Sequence, residues 1–436
     1  MLSGGVSVKK FITLILLLSI TISGCGIDDT PASESAPVNS VGSSSESSQP
    51  NITVIPYAID LSREFQPFKN EPSKDSLHII NTGYTDKKIY VNDQTSGYNN
   101  LKVIDTENNT MTTICKKTDC CHTDDGCDGY IPYGYEFIST RNNEYIIYKD
   151  ITRDEDYPFT QTTYYYRMDS NGQNRKLLYS HYGHSLDFYS NVFQCGNKLY
   201  FHSRPTGAFN GILSCISCLD IETGQYEQIA SYDSPYAEIL GIYKDKLMVC
   251  VEPFYEGDYY TAMSLHLLDV STHENRLIYT APEYYNAVYL LYNNCVYELI
   301  DGDIFTLNKI NPETGDIELF YQNTSLQNDG NWRTEEVFNN VAIFRASSRS
   351  PYLVALNLDT CSYYTNPYRG VAPFIMYGET ENNFLINVGN TERFYSQEEE
   401  KQKHDGVSNY FIRYYAFISK SDFLKGIKNY TLLEIT

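Results

Sequence analysis

"CLDIETGQYEQIA", Cys218 to Ala230, reads as an apolar strand, a turn led by Asp220 and closed by Gly224, and a second strand. Five other segments follow the same plan: "VIDTENNTMTTI" from Val103, "RMDSNGQNRKLLY" from Arg167, "LLDVSTHENRLIY" from Leu267, "KINPETGDIELFY" from Lys309 and a degenerate "LNLDTCSYYT" from Leu356. Turn chemistry accounts for the recurrence. Asp105, Asp169, Asp220, Asp269 and Asn311 each offer a side-chain oxygen to backbone N–H groups two residues on, and Gly172, Gly224 and Gly315 supply the positive φ that a short hairpin requires.

Ahead of each hairpin lies another strand announced by polar residues: "DKKIYV" at Asp86, "NEYIIY" at Asn143, "NKLYF" at Asn197, "DKLMVCV" at Asp245, "NNCVYEL" at Asn293, "NNVAIF" at Asn339 and "NNFLINV" at Asn382. These seven starts are spaced near the forty to fifty residues of a propeller blade, a unit of about four strands. Apolar segments such as "SLHII" at Ser76, "YEFIST" at Tyr135 and "LDFYSNVF" at Leu186 are expected to provide the first strand. The fold class expected is therefore all-β, a seven-bladed propeller, with six or eight blades as neighbouring counts. A pair of sandwiches would need no common unit. Ring closure has two solutions: the final "YYAFISKSDFLKGIKNYTLLEIT" completes the last blade, or "NITVIPYAI" at Asn51 adds a strand to it.

Composition agrees, since 41 Tyr and 20 Phe among 436 residues suit pleated, half-buried surfaces. With 55 acidic against 33 basic residues the formal charge is -22, and no basic stripe offsets the repulsion of a phosphate backbone. Nucleic acid is excluded as a partner, and the acidity reads as an exposed, soluble surface.

The N-terminus, "MLSGGVSVKKFITLILLLSITISGCGIDD", has Lys9 and Lys10, an apolar run from Phe11, then small residues, the plan of a secretory signal. "ISGC", Ile22 to Cys25, resembles the lipobox of bacterial lipoproteins, which implies acylation of Cys25 after cleavage. Two acyl chains would suffice for stable attachment. The expected organisation is a signal peptide over 1–24, an acylated Cys25 with a Ser/Pro-rich tether over 25–52, and a propeller over 53–436. The address expected from these features is the extracytoplasmic face of the cell membrane.

"CKKTDCCHTDDGCDGY", Cys115 to Tyr130, concentrates cysteines between the outermost strand of the first blade and the innermost strand of the second. Such a crossover is expected on the rim shared with the loops between second and third strands. The pattern C-x4-C-x-H-x4-C and the ending "FISKSDFLKGIKNY" resemble those of uncharacterised propeller-like surface lipoproteins of Gram-positive bacteria, a family that brings no assigned activity. Cys115, Cys120, His122 and Cys127 admit three readings. As a Cys3His set they suit a structural zinc with no open position. In an exported protein they also allow disulfides, and free thiols are the third reading.

"CISC", Cys215 to Cys218, has strand flanks that send residues three apart to opposite faces, so it reads as core, as do Cys195, Cys250 and Cys295. "GHSLD" at Gly183 lacks the second glycine and the strand-to-helix context of a nucleophile elbow. Loops "TRDEDYPFTQ" at Thr152, "EPFYEGDYYTA" at Glu252 and "TERFYSQEEEKQKHDG" at Thr391 bring acids and tyrosines toward one rim. Asp154, Tyr157, Tyr255 and Tyr259 are the candidate ligand contacts. The function expected is a monomeric, membrane-anchored, non-enzymatic module that binds an envelope protein, peptide or glycan. The alternative is a glycan-acting hydrolase or lyase using rim carboxylates from Asp154, Glu155, Glu256 and Asp258.

Overall fold

The computed structural model describes residues 78–80, 84–85, 88–93, 99–120, 122, 126–132, 137–140, 144–153, 161–182, 192–203, 213–234, 236–252, 254–256, 259–282, 287–300, 304–327, 333–338, 340–345, 353–365, 367, 376–380, 382–394 and 409–433. All of them belong to the unit Ala58–Thr436. They form a seven-bladed β-propeller in which each blade is an antiparallel sheet whose own four strands follow in chain order, with one strand added to blade 3 and a separate hairpin inserted in blade 4. First strands of adjacent blades, such as Ala237–Tyr243 and Ala287–Tyr292, approach one another and line the channel, so fourth strands form the outer wall. Among the described residues no helix is long and apolar enough to cross a membrane.

The polar announcements in the sequence are the turns into second strands. Lys244 and Asp245 (φ 45° and 63°) turn Ala237–Tyr243 into Lys246–Val251, and Asn293 and Asn294 (47° and 58°) turn Ala287–Tyr292 into Cys295–Ile300. Successive positive φ values give a turn whose twist matches the strands. The turns into fourth strands follow from the repeated Asp or Asn. Backbone N–H groups donate to Oδ1 from Glu107 to Asp105 (2.9 Å), Glu222 to Asp220 (3.0 Å), Ser271 to Asp269 (2.9 Å), Glu313 to Asn311 (2.8 Å) and Asp359 to Asn357 (2.9 Å). The left-handed residue four positions after the turn leader is Asn109, Gly224, His273, Gly315 or Cys361. Asp169 departs from this pattern. Its turn is one residue shorter, with Gly172 donating to the Asp169 carbonyl, and its carboxylate accepts instead from the Asn174 side chain at 2.6 Å.

Period-two alternation with both sheet faces covered explains the continuous apolar runs. In "DKLMVCV", Leu247, Val249 and Val251 pack toward the third blade, while Met248 and Cys250 pack toward the fifth. Each hydrophobic cluster of the core fills one seam between neighbouring blades. At roughly 1.5–3 kcal/mol for each fully buried aliphatic or aromatic side chain, these seams dominate the stability of the ring.

The final seam joins Leu385, Tyr415, Phe417 and Leu433 of the last blade to Ile89, Val91, Ile104 and Met111 of the first. The C-terminal segment completes its own blade with Asn409–Ser419 and Tyr430–Leu432, so closure takes the first of the two expected solutions. Between them Lys420–Leu424 forms one short helix, α1, capped by Ser419, whose side chain accepts from the Asp422 N–H at 3.0 Å. "NITVIPYAI" lies outside the described residues.

One expected strand moves. "SLHII" does not supply the first strand of blade 1, which is Tyr84–Thr85. His78–Ile80 instead adds a fifth strand to the inner edge of blade 3, with His78 opposite Gln194 and Ile80 opposite Val192. The physical reason is an open edge: Val192–Cys195 is paired on one side only by its own blade, so its other side accepts a strand.

Candidate functional site

The Cys/His segment interrupts the outermost strand of blade 1. Thr110–Thr113 pairs with the third strand, Asn100–Asp105, as far as Lys102, and Ile114 N donates to the Leu101 carbonyl at 3.3 Å. The ladder then resumes with other residues: Leu101 N donates to the Gly129 carbonyl at 2.8 Å, Tyr130 bridges Asn100, and Ile131 N donates to the Asn99 carbonyl at 3.0 Å. The intervening chain is looped out, with Cys115 at one root and Cys127 at the other.

The ligand atoms of Cys115, Cys120, His122 and Cys127 lie within 4.8 Å of one another. Nδ1 of His122 is 3.2 Å from Sγ of Cys127. Cys115 and Cys127 are buried, and Cys120 and His122 are half-buried. All three described thiols of the cluster are free. Asn100 holds the arrangement from the strand beside it. Its amide donates to the His122 carbonyl at 2.9 Å, and its oxygen accepts from Cys127 Sγ at 3.6 Å. His122 adopts φ 60°, a conformation few residues with a side chain occupy.

Electrostatics differ across the cluster. Burial works against the Cys115 thiolate, but the backbone N–H groups of Lys117 and Asp128 and the thiols of Cys120 and Cys127 outweigh it and hold its pKa below the ordinary value. Burial pushes the Cys127 thiol up to about 12, opposed by the N–H of Gly129. Lys117 pairs with Asp128 at 2.8 Å and donates to the Gly126 carbonyl at 2.7 Å. A soft, four-donor set in this space could hold a metal ion, and binding would replace thiol protons.

The cluster's place corrects the expected rim position. It lies on the outer wall at the seam with blade 2, against the turn that joins that blade's third and fourth strands. Arg175 in that turn donates to the carbonyls of Cys127, Asp128 and Tyr130 at 2.9, 3.1 and 2.7 Å. A strand that breaks and resumes cannot be seen in a linear pattern that shows only where one strand ends.

Of the expected rim contacts, Asp154 and Tyr157, with Glu155, lie outside the described residues, as does Asp258. So do Cys25 and Cys121. Within "EPFYEGDYYTA" two short strands replace the expected loop: Phe254–Glu256 and Tyr259–Thr261 form a separate antiparallel pair between the second and third strands of blade 4, pairing Tyr255 with Tyr260 and Glu256 with Tyr259.

No family model matches this chain, and no curated protein matches it. Among solved structures it is similar to an oligogalacturonate lyase in complex with manganese, at 10% identity and TM-score 0.46, covering 77% of this chain and 90% of that one. It is also similar to an oligogalacturonate lyase from Vibrio parahaemolyticus (12% identity, TM-score 0.43, 79% of this chain and 92% of that one). A third similar structure is TolB from Acinetobacter baumannii (13% identity, TM-score 0.33, 67% and 64%). No residue role is carried over from these proteins.

The sequence reading missed Arg175, Lys117 and Asn100, which surround the cluster, and Glu298. The last is a buried carboxylate that accepts from Tyr279 (3.0 Å), Tyr289 (2.9 Å) and Asn308 (3.0 Å). The one available signal for Arg175 was the shortened hairpin that carries it. Cys215 and Cys218 are buried strand residues, as read.

Proposed function

We propose that this protein is a lipid-anchored, extracytoplasmic propeller that captures an extended ligand, a peptide or a glycan strand, without turning it over. The observation that carries the reading is the strand added at the channel edge of blade 3, His78–Ile80 on Val192–Gln194. The first-strand edges of the other blades are of the same kind, and such an edge is suited to take up an extended ligand through backbone hydrogen bonds, with side-chain pockets giving selectivity. The hairpin bearing Tyr255 and Tyr259 stands at the end of blade 4 where second–third connections lie, and aromatic residues there would add contact area at little entropic cost. The lipobox residues and the tether support attachment of the ring to the membrane with freedom to search the envelope. In this reading the Cys/His cluster holds a structural zinc, because four protein ligands leave no coordination position open for chemistry.

The test is a screen of the detergent-solubilised lipoprotein against extended peptides and envelope glycans, with product analysis on every hit. Saturable binding is expected, with the ligand recovered intact and affinity reduced by combined Tyr255→Ala and Tyr259→Ala. Recovery of a shortened glycan would overturn the reading in favour of a hydrolase or lyase.

A further inference from the structure

We infer that Cys115, Cys120, His122 and Cys127 bind a thiophilic divalent cation of the zinc class in a closed tetrahedral shell, and that this ion clamps the broken outer strand of blade 1 and fastens it to blade 2. The inference deepens the structural-metal reading of the cluster and rests on it.

The topology gives the ion its mechanical role. Cys115 follows directly on the last ladder bond of the first half-strand, and Cys127 stands two residues before the Gly129 carbonyl that reopens the ladder. An ion bound to both joins the two roots of the loop and removes the entropic cost of holding them together. Cys120 and His122, from the loop itself, complete the shell.

The donor set gives the class of ion. Thiolates and an imidazole favour soft or borderline cations over magnesium or calcium, which take oxygen. Asp128, the nearest acid in the chain to Cys127, is turned away to Lys117 at 2.8 Å. Three thiolates around a dication leave one net negative charge, and Arg175 from blade 2 borders it at the Cys127 root, while Lys117 in the loop is shared with Asp128. His122 keeps its left-handed backbone because Asn100 grips its carbonyl, so the ring is presented by strain that the neighbouring strand maintains.

Arg175 carries the clamp across the seam. Its donations to the carbonyls of Cys127, Asp128 and Tyr130 require the root of the loop to stay in place. Gly172, in the same turn, approaches the Asp128 backbone so closely that a Cβ would collide with its carbonyl. Releasing the ion would therefore free both halves of the outer strand and the blade 2 turn together.

Hydrogen exchange on the full-length lipoprotein, before and after removal of metal with a strong chelator, tests the clamp, and reconstitution with cobalt(II) tests the site. The expected result is an intense visible spectrum of tetrahedral cobalt–thiolate, lost in Cys120→Ser and in His122→Ala. Chelation should remove protection at 99–101, 127–131 and 170–175 and leave Cys295–Ile300 in blade 5 unchanged. Arg175→Met should loosen 170–175 while preserving the cobalt spectrum. Unchanged exchange on chelation would overturn the clamp and leave the metal reading standing. A metal-free protein with oxidised cysteines that takes up no cobalt after reduction would overturn both.

Discussion

The guanidinium of Arg175 in blade 2 donates a 2.9 Å hydrogen bond to the carbonyl of Cys127 at the root of the looped-out segment in blade 1. It does the same for Asp128 and Tyr130, and it lies 5.5 Å from the centre of the Tyr148 ring. Hydrogen bonds from a charged donor each contribute about 1.5–3 kcal/mol. Arg175→Met should therefore lower unfolding free energy by at least about 1.5 kcal/mol in denaturant titrations, more than the few tenths expected of an ordinary surface change. A loss within that surface range would remove Arg175 from the seam.

Glycines in turns separate strain from collision. Gly196 (φ 56°) has nothing within 4 Å of the place a methyl group would take, whereas at Gly172 (φ 84°) the same methyl meets the Asp128 carbonyl. Gly196→Ala should cost about 1 kcal/mol, the strain alone, and Gly172→Ala more than about 2 kcal/mol. Thermal denaturation of the two variants checks the order, and equal losses would contradict the packing at the seam.

Ring closure rests on Tyr415, whose hydroxyl donates to the Asn92 carbonyl at 3.2 Å and whose ring is buried in the last seam. Removing the hydroxyl in Tyr415→Phe should cost about 0.5–1.5 kcal/mol. Removing the ring in Tyr415→Ala should cost about 3–5 kcal/mol. A small effect for both, measured by urea unfolding, would mean that the first and last blades are not joined there.

The Asp-led turns predict acid sensitivity. Asp269 accepts from the Ser271 hydroxyl at 2.6 Å and from the N–H groups of Ser271 and Thr272, with Lys246 nearby at 3.2 Å, and these hold its carboxyl well below the usual range. A depressed folded-state pKa contributes stability that is complete above the ordinary carboxylate value of about 4 and is lost as pH falls below it. Asn311 and Asn357 make the same turn without titrating. Asp269→Asn should thus show a shallower fall in urea midpoint between neutral and acidic pH than the parent. An identical fall would sink the assignment.

Most of the ring was legible because its signals are local. Turn leaders such as Asp220 and Asn311 act within a few residues, and runs such as "DKLMVCV" report burial on both faces directly. Cys361 made one hairpin, "LNLDTCSYYT", legible only as a degenerate copy, because it fills with φ 57° the place that Gly224 and Gly315 take elsewhere. What depends on distant pairing was not legible. The move of His78–Ile80 to blade 3 is decided by an edge more than a hundred positions away in the chain, and the resumption of the outer strand at Tyr130 is decided by Asn100. The four Cys and His residues of the cluster were visible as a spacing, but Arg175 joins them only through the fold.

Native mass spectrometry of the full-length protein, purified without chelator and followed by alkylation with and without metal removal, decides whether the Cys/His cluster holds an ion. One zinc-class ion per chain is expected, with Cys115, Cys120 and Cys127 protected from alkylation until the ion is stripped. A metal-free chain whose mass and peptide map place Cys115 or Cys127 in a disulfide would contradict it.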